Sequence, residues 1–373
     1  MILKSLSLRS FRNLQAENLS FSNKINLIQG GNGQGKTNLL EAIHVLSLSK
    51  SFRTQQPREL IRLGEDTFSV SGEVSSGSLE RRLHVDQDQR TKRLYVNGGR
   101  CDVFEYVGTF STIAFSQSHI EQFKSEPAYR RRMIDRGLCL LQPSHLRYVS
   151  DYVRVLKQKN SLLRQIRSVY NHASHELLDA WNSQLAELGA RIINSRQSYI
   201  QKVGEKLEGR DNFSTSETLL VRYLLSSPLP PNSGLTDTKE FLLKKLNDQR
   251  DREIRLGRTL VGPHRDDIEV LINGLSMRLF GSAGQQRSSI LAYSLAQMEV
   301  YYDVHREYPV CLIDDVDSEL DEDRINRCLQ VLQSKAQLFL TTTKPKLVQT
   351  HSSVPDIRRF SVEEGKVESC VRV

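Results

Sequence analysis

The residues with the clearest chemical capacity are Gly30-Gly31-Asn32-Gly33-Gln34-Gly35-Lys36-Thr37, which fit the pattern GxxxxGK[ST]. Glycines at these spacings let backbone N–H groups turn inward onto phosphate oxygens. The Lys36 ammonium then supplies charge to the β and γ phosphates of a nucleotide, and the Thr37 hydroxyl can ligate magnesium. A plain glycine turn can carry the same letters, so the flanks decide. The strand-like Ile25-Asn26-Leu27-Ile28-Gln29 comes directly before, and a helix-like run through Leu39, Leu40, Ile43 and Leu46 comes directly after. That is the context a phosphate loop requires. Gly30, Asn32, Gly33, Gln34, Gly35, Lys36 and Thr37 are the candidate phosphate contacts.

A phosphate loop needs a carboxylate on the magnesium side. Val310-Cys311-Leu312-Ile313-Asp314-Asp315 is a buried-strand pattern ending in two acids, as a central parallel strand would deliver them. Asp314 is placed to hold magnesium through water, and Asp315 to orient or deprotonate an attacking water. A third candidate is Ser282-Ala283-Gly284-Gln285-Gln286, which opens an apolar helix through Ile290, Leu291, Leu295 and Met298. Small residues at a helix N-terminus make an anion site, and Ser282 or Gly284 can equally serve as a simple N-cap.

Elements must carry these residues to one place, and about three quarters of the chain lies between Thr37 and Asp314. Ile2 to Leu8 and Lys24 to Gln29 read as strands, and Arg93 to Val96 leads into the turn Asn97-Gly98, so residues 1–125 are α/β. From Leu146 the apolar spacing becomes helical: Leu146, Val149, Val153, Leu156, Leu163 and, off the strict repeat, Ile166. A second stripe follows at Leu178, Trp181, Leu185, Leu188, Ile192, Tyr199 and Val203, after the polar break Asn171 to Ser174. Two such helices pack either as a short antiparallel coiled-coil hairpin or within a small bundle. Pro228 to Gly234 ends the region, and a third helix follows, in which Asp237 and Glu240 suit a cap and its reciprocal partner. After Gly257 the α/β character returns. The expected architecture is one discontinuous α/β head, residues 1–125 and 258–373, interrupted by a helical arm, 126–257.

Composition narrows the class. The chain has 373 residues, 38% hydrophobic, with 52 basic and 44 acidic residues for a net charge of +8, which favours an anionic partner such as nucleic acid. Its longest apolar stretches are a few residues, and the N-terminus has no apolar segment followed by a cleavage site, so neither a membrane span nor secretion is expected. Five cysteines without CxxC spacing read as reduced thiols in a cytoplasmic protein. His172 and His175 have metal-ligand spacing, yet no acid stands at matching spacing nearby, and the reading as surface histidines is preferred. Arg130 to Arg132 either touch phosphates or lie on a solvated helix face.

The order phosphate loop, insertion, SxGQQ, then hydrophobic-Asp-Asp resembles that of an ATP-binding-cassette head. In such heads the signature serine and its helix cap the γ-phosphate of a second subunit's nucleotide, which would assign Ser282, Gly284, Gln285 and Gln286 to the partner's site. The resemblance narrows with LSLRSFRN at the start, Leu46 to Thr54, Glu126 to Arg132 with Asp135, and above all Gly262-Pro263-His264-Arg265-Asp266-Asp267. Together with Ser282 to Arg287 and the segment from Asp314 through Ser318-Glu319-Leu320-Asp321, these are similar to the bacterial RecF family over nearly the whole chain. The resemblance implies a head like that of the structural-maintenance-of-chromosomes proteins, with a phosphate loop and mixed sheets. It also implies Mg2+ and ATP binding, ATP-dependent homodimerisation, slow DNA-stimulated hydrolysis, and action with RecR and RecO to place RecA on gapped DNA in repair and replication. It sets Arg12 near the nucleotide phosphates. The chain departs from the pattern at Gln117-Ser118-His119, where Gln117 is either a magnesium contact or a surface residue. It also departs at Phe52, where histidine is usual. Many cassette ATPases place a switch histidine where this chain has Leu340-Thr341-Thr342-Thr343-Lys344, so γ-phosphate sensing would fall to a threonine hydroxyl, as the family pattern suggests. An ATP-switched scaffold with incidental turnover and a transporter ATPase subunit are the rival readings. The GPHRDD segment and the arm disfavour the transporter.

Overall fold

A computed structural model describes residues 1–168, 172–208, 217–230, 233–316, 332–344 and 356–370, with no side chains described for 167–175 or 370. Asn171, the side chains of His172 and His175, and Ser318 to Asp321 lie outside the described residues; the break expected at Asn171 to Ser174 is already helical from His172 on.

β1 (Ile2–Phe11) pairs antiparallel with β2 (Leu14–Ser20), β3 (Ile25–Gln29) enters the glycine loop, and α1 (Lys36–Leu48) leaves it. β4 (Thr67–Ser76), β5 (Leu79–Asp88), β6 (Lys92–Val96) and β7 (Gly99–Cys101) extend an antiparallel meander from β1. Asn97 and Gly98 join the last two with φ of 53° and 81°, the left-handed pair that a tight two-residue hairpin turn needs.

α2 (Val103–Tyr106), β8 (Thr112–Phe115), α3 (Gln117–Ser125) and α4 (Pro127–Leu141) lead to the long helices α5 (Ser144–Ser168) and α6 (His172–Glu208). β9 (Leu219–Leu224), α7 (Leu235–Asp248) and α8 (Arg250–Leu256) follow, then β10 (Asp267–Ile272), β11 (Leu275–Ser276), α9 (Met277–Phe280) and α10 (Ala283–His305). β12 (Val310–Ile313), β13 (Leu338–Thr342), β14 (Ile357–Glu363) and β15 (Lys366–Cys370) complete the described chain.

The fold is α/β. β8, β12, β13, β3 and β14 run parallel in that order, and β15 turns back antiparallel on β14. A single parallel bridge, Lys366 to Gln15, joins this sheet to the meander as one mixed sheet of twelve strands. Alternation along the parallel strands divides two cores. Val310 and Leu312 face α1 and the meander, whereas Cys311 and Ile313 face α10 and α4. α1 is covered on nearly every side, down to Glu41 and His44, because it lies between the two parts of the sheet.

The helical region does not stand wholly apart. Ile134 and Leu138 of α4 and Tyr199, Ile200, Val203 and Leu207 at the end of α6 share the core of the parallel sheet. Beyond it, Tyr152, Val155, Leu185, Ile192, Leu242 and Leu246 bind α5, α6 and α7 to one another. The α6 stripe lies where its spacing puts it, and the α5 stripe does so except at one position. Leu163 and Ile166 are buried and Leu146, Val149 and Leu156 pack partly buried against the cores, but Val153 is 42% exposed, with Tyr152, Val155 and Lys159 buried beside it. Lys159 reaches α8 and bonds the fully buried Glu253 at 2.6 Å. At α7 the cap is Gly234, and Asp237, which the sequence suggests as the cap, sits inside the first turn and accepts the Gly234 N–H at 2.9 Å.

Candidate nucleotide site

Because β3, β13, β12 and β8 are parallel neighbours, their carboxyl ends share one edge, and everything that follows those ends gathers there: the glycine loop, Thr341 and Thr342, Asp314, and Gln117. The loop backbone requires its glycines. Gly35 takes φ 121°, outside the range of side-chain-bearing residues, and a Cβ at Gly30 would collide with the Val362 carbonyl oxygen. The turn between β14 and β15 braces the loop from outside, since the Gly365 N–H donates to Gln34 O at 3.1 Å and the Glu364 N–H to Gln34 Oε1 at 2.6 Å. Inside, the Lys36 ammonium donates to Gly30 O and Gly31 O at 2.8 Å each, so its charge lies across the mouth of the loop.

Thr37 and Asp314 meet. The Thr37 hydroxyl lies 2.9 Å from each Asp314 carboxylate oxygen. Thr341 Oγ1 donates to Asp314 Oδ1 at 2.7 Å and accepts the Asp315 N–H at 2.6 Å, so one buried hydroxyl fixes both acids. Asp315 takes φ 50°, a left-handed conformation that a non-glycine residue adopts at a cost, as at other functional turns. Burial, more than any other influence, pushes the Asp314 carboxyl above its usual range; the two threonine hydroxyls and Arg53 oppose that, and Asp315 adds to it. A buried carboxylate with a hydroxyl beside it is an oxygen donor set that suits a hard divalent cation, and neutralisation by such a cation would offset the cost of burying the charge.

Arg12 is held on α1. Its guanidinium grips the buried Glu41 of α1 at 2.7 and 2.9 Å, and Glu41 also takes Arg53 at 3.3 Å and the Ser51 hydroxyl at 2.5 Å. The neighbouring Asn13 touches the loop, donating to Gln34 O at 3.0 Å and accepting from Asn38 at 2.7 Å. Glu41 and Arg53 were not singled out from sequence, although a lone acid within the apolar run Leu39 to Leu46 is a signal that could have found Glu41. Arg53 Nη1 bonds Asn38 at 2.7 Å and acts on Asp314, which places a half-exposed cation beside the site. Gln117 is the first residue of α3, beside the end of β12, and reaches Glu121 at 3.4 Å. Phe52 is buried between the rings of His44 and His119, at 5.3 and 5.2 Å, as an apolar wedge.

Ser282 caps α10. Its hydroxyl accepts the Gln285 N–H at 3.2 Å, Gln285 Oε1 accepts the Ser282 N–H at 2.8 Å, and Gln286 donates to Gly281 O at 2.8 Å. Ser282 itself is exposed, and the preceding Leu279 and Phe280 are 68% and 67% exposed. The Gly262 to Asp267 segment is an internal polar joint. Asp267 takes Arg130 at 2.7 Å through both oxygens, Asp266 accepts from Tyr223 and the Ser226 N–H, and His264 meets the Tyr152 hydroxyl at 2.7 Å. Arg130, 1% exposed, is therefore neither a phosphate contact nor part of a solvated face. Among the described residues no cluster of three or more His, Cys, Asp or Glu is placed to hold a metal ion, and no helix is long and apolar enough to cross a membrane.

Comparison with known proteins gives a consistent result. Residues 2–366 match the family described as RecF/RecN/SMC N terminal domain. The DNA replication and repair proteins RecF of Bacillus cereus (strain B4264) and Bacillus thuringiensis (strain Al Hakam) are each 34% identical over 99% of this chain and 98% of their own length. The solved structure of the recombination mediator protein RecF-ATP in the RecFOR pathway superimposes with a TM-score of 0.88 at 34% identity, covering 99% of both chains. An Smc head domain from Pyrococcus furiosus matches at 14% identity with a TM-score of 0.55, over 99% of this chain and 96% of that one, a likeness of fold alone.

Proposed function

Since the chain belongs to the RecF family, we propose that it is an ATP-dependent DNA-binding recombination mediator of DNA repair and replication. ATP binds at the glycine loop, two subunits close on DNA, and hydrolysis reopens them. The observation that carries the reading is the pair of 2.9 Å contacts joining Thr37 to Asp314, because two motifs from opposite ends of the chain make one site only in a nucleotide-binding head. Relatives of equal length, and an ATP complex of one family member, support it.

In this reading the N–H groups of Gly30 to Gly35 and the Lys36 ammonium hold the phosphates. Thr37 and Asp314 would hold Mg2+, which when bound neutralises phosphate charge. Asp315 orients or deprotonates water at the γ-phosphate, and Thr341 holds both acids in register. Ser282, Gly284, Gln285 and Gln286 of one subunit complete the site of the other, with the exposed Leu279 and Phe280 beside them supplying apolar contact area. Partners of the assembled clamp are RecR and RecO, and through them RecA, in the cytoplasm. The test is ATP turnover with and without DNA. Stimulated hydrolysis that Asp315→Asn abolishes while ATP binding persists supports the assignment, and wild-type turnover in that variant refutes it.

A further inference from the structure

The loop that leaves α1 serves the nucleotide site at one end only. Ser51 and Arg53 bond Glu41, and Lys50, just after the left-handed cap at Ser49, is exposed. Lys92 of β6 stands next to it, donating to Ser49 O at 2.7 Å and Oγ at 3.1 Å. Arg132 and Arg136 of α4 also act on Lys50. Arg136 bonds Ser51 O at 3.5 Å and otherwise lies against the Tyr129 ring, 5.9 Å from its centre. Four cations thus surround one turn of chain.

Carboxylates are scarce around them. Glu126 pairs with Arg132 at 3.2 Å on the surface, and Asp135, the residue before Arg136, is taken by Arg196 and His145. The remaining cost is visible in the charges themselves. Burial and then Lys50 hold the Lys92 ammonium down to about 8, and burial and then Arg136 lower that of Lys50. Elsewhere this chain neutralises its enclosed cations: Arg130 with Asp267, Arg196 with Asp135, Lys159 with Glu253. Lys92 also lines an open cleft of about 450 Å3 whose other cations are Arg93 and Arg100. The acids there, Asp102 and Glu105, are turned to capping α2.

We infer that the surface running from Lys50, Arg132 and Arg136 across Lys92 into this cleft binds the phosphodiester backbone of DNA. The inference rests on the DNA partner proposed above. An extended polyanion fits better than a small anion, because the cations gathered at this turn continue through Lys92 into an open cleft with Arg93 and Arg100.

The experiment measures the affinity of a fluorescent duplex over a series of salt concentrations, for the full chain and two double variants of equal charge. Lys50→Ala with Arg132→Ala removes two cations of the surface. Lys244→Ala with Arg252→Ala removes two exposed cations on α7 and α8. The first pair should lower the log-log salt slope by about 0.9 for each phosphate that is no longer neutralised and weaken binding equally for every sequence, with ATP binding and melting temperature unchanged. The control pair should leave the slope as it was. If the wild-type chain binds DNA and the first pair matches it, or if the control pair weakens binding as much as the first, this surface is not the site although the DNA-binding reading stands. If the wild-type chain binds no DNA, that reading and this inference both fall.

Discussion

At the scale of single residues, the site is a set of charges placed where local structure already wanted them. Lys36→Ala removes the one ammonium that spans the mouth of the loop, and ATP affinity should drop by about 10- to 100-fold, the worth of a charge-assisted hydrogen bond. Calorimetric titration with ATP reads this directly, and unchanged affinity would take the phosphate loop out of the mechanism. Buried histidines give a second expectation. Burial above all holds His119 down to about 3 and His44 well below the ordinary value. Both are neutral when folded and take up protons on unfolding, so stability is complete above about pH 6.5 and is lost as pH falls toward the folded value. Melting temperature should decline from pH 6.5 to 4, and His119→Gln should flatten the decline relative to its own value at pH 7.5; an equal slope in the variant would exclude His119 as a source. The glycine loop and the Asp314-Asp315 strand end were legible in the sequence because each is local, with strand, turn and acid adjacent in the chain. The partners of Arg12 and Arg130, Glu41 and Asp267, were not, because they are set only by tertiary packing.

At the scale of elements, the helices were legible as stripes. α6 buries the residues its spacing indicates, and α5 departs at Val153 alone, while its Lys159 turns inward to serve α8, a contact that an apolar stripe cannot announce. The Gly262 to Asp267 joint ties α4, α5, α6 and β9 to β10, so its disruption should act on stability. Arg130→Ala leaves Asp267 without its partner and should cost about 3–5 kcal/mol in denaturant unfolding. A loss below about 1 kcal/mol would show that the joint is not a structural tie. α10 allows a sharper experiment. Ser282→Ala removes an N-cap worth about 1 kcal/mol and little else, whereas Ser282→Arg also sets a bulky side chain on the exposed end of the helix. If that end faces a second subunit's nucleotide, Ser282→Arg alone should abolish ATP-induced dimerisation and turnover, while both variants keep ATP binding. Equal behaviour of the two would reduce Ser282 to a cap.

At the scale of the whole molecule, the chain brings Thr37 and Asp314 to one sheet edge and sets helices α4 to α8 between them in sequence, and in the function proposed above nucleotide and DNA chemistry communicate across that arrangement. The separation of Thr37 from Asp314 made the large insertion legible before any coordinates. The sharing of one core by α4, the end of α6 and the parallel sheet was not legible, since the stripes say which face is apolar and not what covers it. The central claim is that ATP closes two copies of this chain into a clamp, and sedimentation of Asp315→Asn with and without ATP tests it most directly. This variant keeps Lys36, Thr37 and Asp314 but lacks the carboxylate proposed to orient water, so any closed state should persist. Monomers without ATP and dimers with it are the expected result, with the dimer fraction rising as protein concentration rises. A sedimentation coefficient that stays monomeric in saturating ATP, or one that is dimeric whether or not ATP is present, would contradict a nucleotide-driven clamp.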